Sequence, residues 1–222
     1  MSFKNLEKGY YAFIVAIAIA YVAFLICDIF TEGMEAISSA LKYFGILMCF
    51  LISVKIYLKN GSTRAAKLQM IVLAFTVVAD FFLLFTSLYV LGMLIFFGAH
   101  LTAIYRYYRP LLKTGIAIIL LGATIWIVSI ILSKPLDLLL CASIVYLTLI
   151  LLVTVTTFLA KQKPINNILS RLGMILFILC DINVALFNTV SHQSVIYAVS
   201  SMLMWAFYIP AQTMLSLSAY DY

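Results

Sequence analysis

Charged residues are scarce in this chain. They make up 10% of its 222 residues, against about 25% in an ordinary soluble domain. Hydrophobic residues make up 66%, and the mean hydropathy is +1.17. A soluble domain cannot expose so much apolar surface to water, so this composition excludes one. We therefore expect a multi-pass integral protein of the cell membrane, surrounded by membrane lipids.

Histidine is scarcer still, with only His100 and His192 in the whole sequence. The seven-helix zinc hydrolases of ceramidase and receptor type need about three histidines around the metal. Two histidines therefore argue against that class. The four cysteines lie in or beside apolar runs, without a metal-ligand spacing or an obvious disulfide pair. We expect neither a metal nor another cofactor.

Eight apolar runs remain when the chain is cut where charged residues, Gly, Pro, Asn and Ser cluster. Each run is about 20 residues long, the length of a helix that spans the hydrocarbon core of a bilayer. Strands of a membrane barrel would alternate polar and apolar residues, whereas these runs are apolar on every side. The sequence predicts an all-α membrane protein, with one domain over residues 1–222 and helices near 10–27, 40–58, 67–86, 89–107, 113–132, 137–159, 169–188 and 195–217.

Lysine and arginine are distributed unequally between the connections of these eight helices. Twelve of the 14 fall on one side of the membrane, and only Lys42 and Lys134 fall on the other. Because basic connections stay in the cytoplasm, both termini are predicted to be cytoplasmic. The net charge of +6 then reflects topology and favours anionic lipid headgroups. It gives no reason to expect a nucleic acid.

Two aspartates lie inside apolar runs: Asp80 in VLAFTVVADFFLLF and Asp181 in GMILFILCDINVALF. An acid at this depth costs about 3 kcal/mol on insertion scales, so it is kept mainly where it has a function. The two acids occupy similar positions, past the middle of the third and seventh helices. This repetition suggests that helices one to four and five to eight are parallel repeats, with both acids facing one central cavity.

Further polar residues lie at membrane depth. His100, near the middle of helix four, is either a packing residue or a functional one. Tyr208 and Gln212 are one turn apart on helix eight; they either line a cavity beside a kink at Pro210 or form a polar clasp between helices. Lys42 can extend to the membrane surface, pair with an acid or bind a lipid phosphate.

Two more candidates come from helices six and seven. Asn188 follows Asp181 by seven residues and shares its helix face, whereas Asn183 points elsewhere. Tyr146 lies at membrane depth in helix six.

Four blocks of this sequence, ADFFLLF, GMLIFFGAHLTAIY, RLGMILFILCD and YIPAQ, resemble in order those of the YhhN-type lysoplasmalogenases. They are similar to the family's Gly-Asp in helix three, Ala-His with a later Tyr in helix four, Phe-x-x-Ser-Asp in helix seven and Tyr-x-x-x-Gln in helix eight. Lys42 resembles the family's early lysine. Ala79 and Cys180 stand where the family usually has Gly and Ser. Both remain small, so the acids should keep their positions, while the substrate preference is open to change.

The resemblance implies hydrolysis of the vinyl ether bond of a lysoplasmalogen, a lysophospholipid. The products are a fatty aldehyde and glycerophosphoethanolamine or glycerophosphocholine. Protonation of the β-carbon creates an oxocarbenium ion that water captures, so one carboxyl must be protonated and another ionised, as in glycosidases. Asp80 and Asp181 are predicted to be this pair. The residues predicted to position substrate or water are His100, Tyr208, Gln212, Asn188 and Lys42, the last by meeting the phosphate.

Other functions also use buried acids. Intramembrane aspartyl proteases need Tyr-Asp, Gly-x-Gly-Asp and Pro-Ala-Leu motifs, which are not met here. A proton-coupled transporter relays protons through buried Asp and His, but it forms no aldehyde in detergent. In a purely structural membrane protein the acids would pair with Lys42 or Arg171, and their loss would destabilise the bundle. The sequence leaves the oligomeric state open.

Overall fold

A computed structural model of the protein describes residues 7–30, 33–59, 63–191 and 193–221. Lys4 and His192 lie outside these ranges. The described residues form eight α-helices and no strand, which confirms the predicted all-α class. The helices are α1 (Lys8–Phe30), α2 (Glu35–Lys59), α3 (Arg64–Phe85), α4 (Tyr89–Tyr108), α5 (Leu112–Ile131), α6 (Leu138–Leu159), α7 (Pro164–Thr189) and α8 (Val195–Leu217).

Seven helical segments of the described chain are long and apolar enough to cross a bilayer. Six of them are single helices. The seventh is the stretch Tyr89–Ile131, in which one turn of 3-10 helix, Arg109–Leu111, joins α4 to α5. These segments indicate an integral membrane protein. Eight crossings and cytoplasmic termini stay predictions.

The chain reverses direction between α4 and α5. The backbone leaves the helical conformation at Tyr108, with φ −151° and ψ 83°, and Pro110 follows in the 3-10 turn. A Cβ atom added to Gly115 of α5 would lie 3.0 Å from a methyl carbon of Leu101 and 2.9 Å from one of Ile104, both in α4. In a straight helix, residues 101 and 115 would be about 21 Å apart. The two helices therefore lie side by side.

Pro210 lies inside α8 without ending it. Proline has no N–H, so it cannot bond to the carbonyl of Ala206 four residues earlier. The Tyr21 hydroxyl of α1 donates a hydrogen bond to that Ala206 oxygen instead, over 3.1 Å. Because an unsatisfied carbonyl is costly in a bilayer, this bond lets α8 remain one helix through the level of Pro210.

The two halves of the chain have similar neighbours. α4 packs against α5 and α6, and α8 packs against α1 and α2. Two parallel four-helix repeats would show this pattern, because α4 and α8 would then be equivalent. The repeat itself stays a prediction. In this arrangement α3, α4, α6, α7 and α8 surround the buried polar residues at the centre of the bundle.

Candidate functional site

Asp80 lies on α3 and is 3% exposed. The Tyr208 hydroxyl of α8 donates a hydrogen bond to Asp80 Oδ2 over 2.7 Å. Tyr208 is itself buried, with its ring centroid 5.5 Å from that of Phe177 and 5.5 Å from that of Trp205. A short bond from a buried hydroxyl replaces part of the hydration that the carboxyl group has lost.

Asp181 lies on α7 and is half-buried. The Tyr146 hydroxyl of α6 approaches Asp181 Oδ1 to 3.5 Å, longer than the roughly 2.5–3.0 Å of ordinary O–H···O bonds. The other carboxyl oxygen, Oδ2, is buried without a hydrogen-bond partner. Buried polar atoms are nearly always bonded, so Oδ2 is the atom of this pair that is available to a ligand.

His100 of α4 lies between the two Tyr–Asp pairs. Its ring centroid is 5.1 Å from that of Tyr146 and 6.1 Å from that of Phe177, and Phe177 in turn contacts Tyr208. On its other side His100 stacks on Phe96, 6.1 Å away. The side chain is 5% exposed, and its Nε2 has no hydrogen-bond partner. His100 therefore has a ring nitrogen without a protein partner, and its ring contacts the partner tyrosine of Asp181.

The two carboxyl groups have different tyrosine partners, Tyr208 and Tyr146. Ring contacts through Phe177 and His100 connect these two tyrosines. Five helices each contribute one polar side chain to this region. We call these five residues the candidate site: Asp80, His100, Tyr146, Asp181 and Tyr208.

A cavity of about 30 Å³ adjoins the candidate site. On α3 it reaches Thr76, one turn before Asp80, and on α8 it reaches Gln212, one turn after Tyr208. The cavity thus begins one helical turn, about 5.4 Å along the axes, from the acids. Its polar lining comprises Gln69, Thr76, His100, Tyr107 and Gln212. We call it the polar cavity.

Two predicted site residues lie elsewhere. Lys42 Nζ forms an ion pair with Asp28 Oδ2 of α1 at 2.8 Å and lies over the Trp205 ring, 5.2 Å from its centroid. Of the three roles open to Lys42, the structure shows pairing with an acid. Asn188 is exposed near the end of α7, where its Nδ2 donates to the carbonyl of Val184 over 2.7 Å. Sharing a face with Asp181 therefore does not bring Asn188 to the candidate site.

Neither acid of the candidate site pairs with a basic side chain. The three ion pairs of the described residues use Asp28, Glu7 and Asp221 as their acids. Arg171 donates to two carbonyls at the end of α6, over 3.4 and 3.3 Å. The salt bridges that a purely structural role predicts are thus absent from this part of the chain.

Metal-ligating side chains do not cluster in the described part of the protein. No three His, Cys, Asp or Glu residues there could hold one ion. His192 lies outside the described ranges.

One polar cluster was not predicted. Arg106 of α4 donates to Gln69 Oε1 and to the Tyr107 hydroxyl, both at 2.5 Å, and to the carbonyl of Ser218 at 3.0 Å. Ser218 follows the last residue of α8, so Arg106 satisfies a carbonyl at that helix end. Gln69, near the start of α3, was the sign of this cluster that the sequence offered. A polar residue near a helix start is common at a membrane surface, so it did not single the cluster out.

A family model for the YhhN family matches residues 37–219, most of the chain. The chain belongs to the YhhN family. The match covers nearly all of α2, all of α3 to α8, and every residue of the candidate site, whereas α1 precedes it. Searches of curated proteins and of solved structures give no significant match. The predicted family resemblance is confirmed.

Proposed function

We propose that this YhhN-family protein hydrolyses the vinyl ether bond of lysoplasmalogens. The family is associated with lysoplasmalogenase activity, which supports this role at the level of the family. The observation that carries the proposal is the candidate site itself. Each of the two carboxyl groups faces a tyrosine hydroxyl and neither pairs with a cation, and ring contacts connect the two tyrosines through Phe177 and His100, whose Nε2 has no partner.

The reaction needs one proton donor and one proton acceptor. One carboxyl transfers its proton to the β-carbon of the vinyl ether, which leaves an oxocarbenium ion beside an ionised carboxylate. Water attacks the carbon bonded to oxygen and gives its proton to the other carboxylate, which yields a hemiacetal. The hemiacetal collapses to the aldehyde as a proton passes to the leaving glycerol oxygen. Asp80 and Asp181 perform these transfers as a coupled pair.

The surroundings of the acids suit a cationic intermediate. Phe96, Phe177 and Trp205 line the region with aromatic rings, which exclude bulk water and stabilise positive charge by their π faces. In a site with little water, the ionised carboxylate interacts strongly with the oxocarbenium ion. Tyr208 and Tyr146 hold the carboxyl groups in place. His100 and Gln212 position water beside them.

In this proposal the chain crosses the cell membrane eight times, with both termini in the cytoplasm. The reversal between α4 and α5 supports two crossings by the stretch Tyr89–Ile131. The polar cavity and the cluster around Arg106 then lie on the cytoplasmic side of the acids, and the Asp28–Lys42 pair lies at the outer end of α1 and α2.

The test uses purified protein with a lysoplasmalogen and a saturated ether analogue. Asp80→Asn and Asp181→Asn should each lower aldehyde release by about 10²–10⁴-fold, the usual contribution of a general acid or base. The control is Asp137→Asn, at the exposed N-cap of α6, where asparagine caps as well as aspartate. If both site variants keep near wild-type turnover, or if the saturated ether reacts equally well, the proposal fails.

A proton-coupled transporter is the second candidate. Polar residues continue from His100 through the polar cavity to Gln69 and Arg106, as a proton relay would require. A transporter releases no aldehyde in detergent, where no gradient exists. In reconstituted vesicles it would instead acidify the lumen when its substrate is added.

A further inference from the structure

Two buried nitrogen atoms without partners belong to residues that line the polar cavity. His100 is 5% exposed and Gln69 is 2% exposed, and the Nε2 atom of each has no hydrogen-bond partner in the protein. Buried polar atoms in native proteins are satisfied by protein or by ordered water. In an all-apolar cavity such atoms would carry a large desolvation cost. His100 and Gln69 line the cavity from different helices, α4 and α3, together with Thr76, Tyr107 and Gln212. A cavity with five polar side chains in its lining favours a polar ligand.

The size of the polar cavity limits what that ligand can be. A water molecule needs about 10–15 Å³ of cavity volume measured in this way, together with two to four polar partners. The cavity of about 30 Å³ is therefore large enough for two water molecules and too small for a lipid headgroup. Thr76, Tyr107 and Gln212 supply hydroxyl and amide groups as polar partners.

The polar cavity also lies between the acids and the basic end of the bundle. At one end Thr76 and Gln212 are one turn from Asp80 and Tyr208. At the other end Gln69 accepts a hydrogen bond from Arg106, which lies near the end of α4. Polar atoms therefore continue from the helix ends to the candidate site.

We propose that the polar cavity binds two ordered water molecules and delivers from the basic end of the bundle the water that captures the oxocarbenium ion. The proposal rests on the proposed hydrolysis and adds to it the source of the second substrate. The lipid supplies the vinyl ether, and the polar cavity supplies the water oxygen that becomes the carbonyl oxygen of the aldehyde. Proton transfer to the β-carbon precedes this step and does not depend on the stored water.

Because proton transfer does not depend on the stored water, the acid step and the water-capture step can be measured separately. In D₂O the carboxyl deuterates the β-carbon; if water then captures the cation, aldehyde forms. If capture is slow, the cation returns a proton from the β-carbon to the carboxylate, and unreacted lipid carries deuterium. The ratio of deuterium exchange to aldehyde release therefore reports the supply of water, separately from the acid step.

Ala103→Val fills the polar cavity without changing a polar group. Ala103 lines the cavity and is 7% exposed. We expect this variant to raise the ratio of exchange to hydrolysis by about tenfold or more, equivalent to a modest change in one barrier. The control is Ala20→Val, which adds the same volume at a 3% exposed position in α1. Ala99→Val, on the same cavity wall, carries the test if Ala103→Val does not fold.

A second measurement needs no activity. Radiolysis of ordered water oxidises neighbouring side chains, and methionine is readily oxidised. Met174 lines the polar cavity and is 3% exposed, so bulk water does not reach it. Met174 should be labelled in the wild type and in Ala20→Val, and several-fold more slowly in Ala103→Val.

The outcomes separate this inference from the proposed function. If the wild type labels Met174 no faster than Ala103→Val, the polar cavity is dry and the inference is overturned. The inference is also overturned if Ala103→Val keeps the wild-type ratio of deuterium exchange to aldehyde release. It is overturned as well if the folded variant loses deuterium exchange and hydrolysis together. If the wild type labels Met174 but releases no aldehyde, the proposed function fails, while the water site stands.

Discussion

The two acids of the candidate site have unequal tyrosine partners. Tyr208 donates to Asp80 over 2.7 Å, whereas Tyr146 lies 3.5 Å from Asp181. Hydrogen bonds to an ionised group are worth about 1.5–3 kcal/mol when short and weaken steeply with distance. Asp80 is therefore held in one orientation by its partner. Asp181, with Oδ2 unbonded, is the acid with more freedom to meet a substrate.

This inequality predicts unequal effects of removing the two hydroxyls. Tyr208→Phe should lower kcat by about 10–100-fold, which corresponds to the loss of one short bond to a charged group. Tyr146→Phe should lower kcat by less than tenfold, because its bond is already long. Aldehyde release by purified protein gives both kcat and KM. Tyr57→Phe, at a partly buried position on α2, is the matched control.

A larger loss from Tyr146→Phe than from Tyr208→Phe would contradict this ranking. It would place the critical carboxylate on α7 rather than on α3. Equal KM values in the wild type and both variants would show that the tyrosines orient the carboxyls and do not bind the lipid.

At the level of single residues, some of the candidate site could be predicted and some could not. Asp80, Asp181 and His100 interrupt apolar runs, and an interruption is visible in the sequence. The sequence does not show that Tyr146 is the partner of Asp181, because the chain has 14 tyrosines and this contact depends on how α6 packs against α7. Asn188 shares a face with Asp181, but helical periodicity does not say that α7 is exposed at that level.

At the scale of elements, α1 precedes the family match, yet it is bonded into the bundle at two points. The Tyr21 hydroxyl satisfies the Ala206 carbonyl that Pro210 leaves without a partner in α8. Asp28 pairs with Lys42 of α2. Ser38, also in α2, donates to the second oxygen of Asp28 over 2.5 Å. The carboxyl group of Asp28 is therefore fully bonded at a depth where its charge needs a partner.

The Asp28–Lys42 pair predicts a specific stability pattern. Asp28→Asn should destabilise the protein by about 3 kcal/mol, because it leaves a largely buried ammonium without a counter-charge. Lys42→Met should destabilise it similarly, and the double variant by less than the two effects added together. Thermal unfolding of purified protein in detergent measures all three. Lys134→Met, an exposed lysine, is the control.

The same variants test whether Lys42 meets a phosphate. If it does, Lys42→Met raises KM for the lysophospholipid and leaves KM for a substrate analogue without phosphate unchanged. If Lys42 serves only to hold α1, KM for both compounds stays at the wild-type value. A loss of stability with unchanged KM would thus show that Lys42 stabilises the fold and does not bind the phosphate.

Each predicted apolar run overlaps an α-helix of the described residues, because hydropathy shows which segments can lie in a bilayer. The count of eight crossings stays a prediction. The helix ends were harder to predict. α7 begins at Pro164 rather than near residue 169, because proline favours the first helical turn and polar residues extend the helix beyond the hydrocarbon. The Tyr21–Ala206 bond could not be predicted, since it depends on how α1 packs against α8.

At the scale of the whole molecule, charge and packing support the same arrangement. The basic residues cluster at alternate helix ends, and α5 folds back on α4. α4 and α8 have corresponding neighbours, and in the repeat hypothesis each half of the chain contributes an acid to one central site. An even number of crossings in each half keeps the two halves parallel. The repeat hypothesis therefore depends on the topology between α3 and α6.

Four single cysteines test that topology after the native cysteines are replaced. Ser87→Cys and Lys134→Cys lie in the connections before α4 and after α5, Arg109→Cys lies between α4 and α5, and Lys161→Cys lies between α6 and α7; all four positions are exposed. With eight crossings and cytoplasmic termini, an impermeant maleimide should label the first two in intact cells. It should label the other two only after permeabilisation.

Other labelling patterns have distinct meanings. If Ser87→Cys and Lys134→Cys are labelled on opposite sides, the stretch Tyr89–Ile131 crosses the membrane once. The two halves of the chain are then not parallel, and a second acid could reach the central site only by a different helix arrangement. If all four cysteines show the reverse pattern, the crossings stand but the basic ends face outward. The polar cavity would then take water from outside the cell, since it lies between the acids and the basic ends whichever way the bundle is inserted.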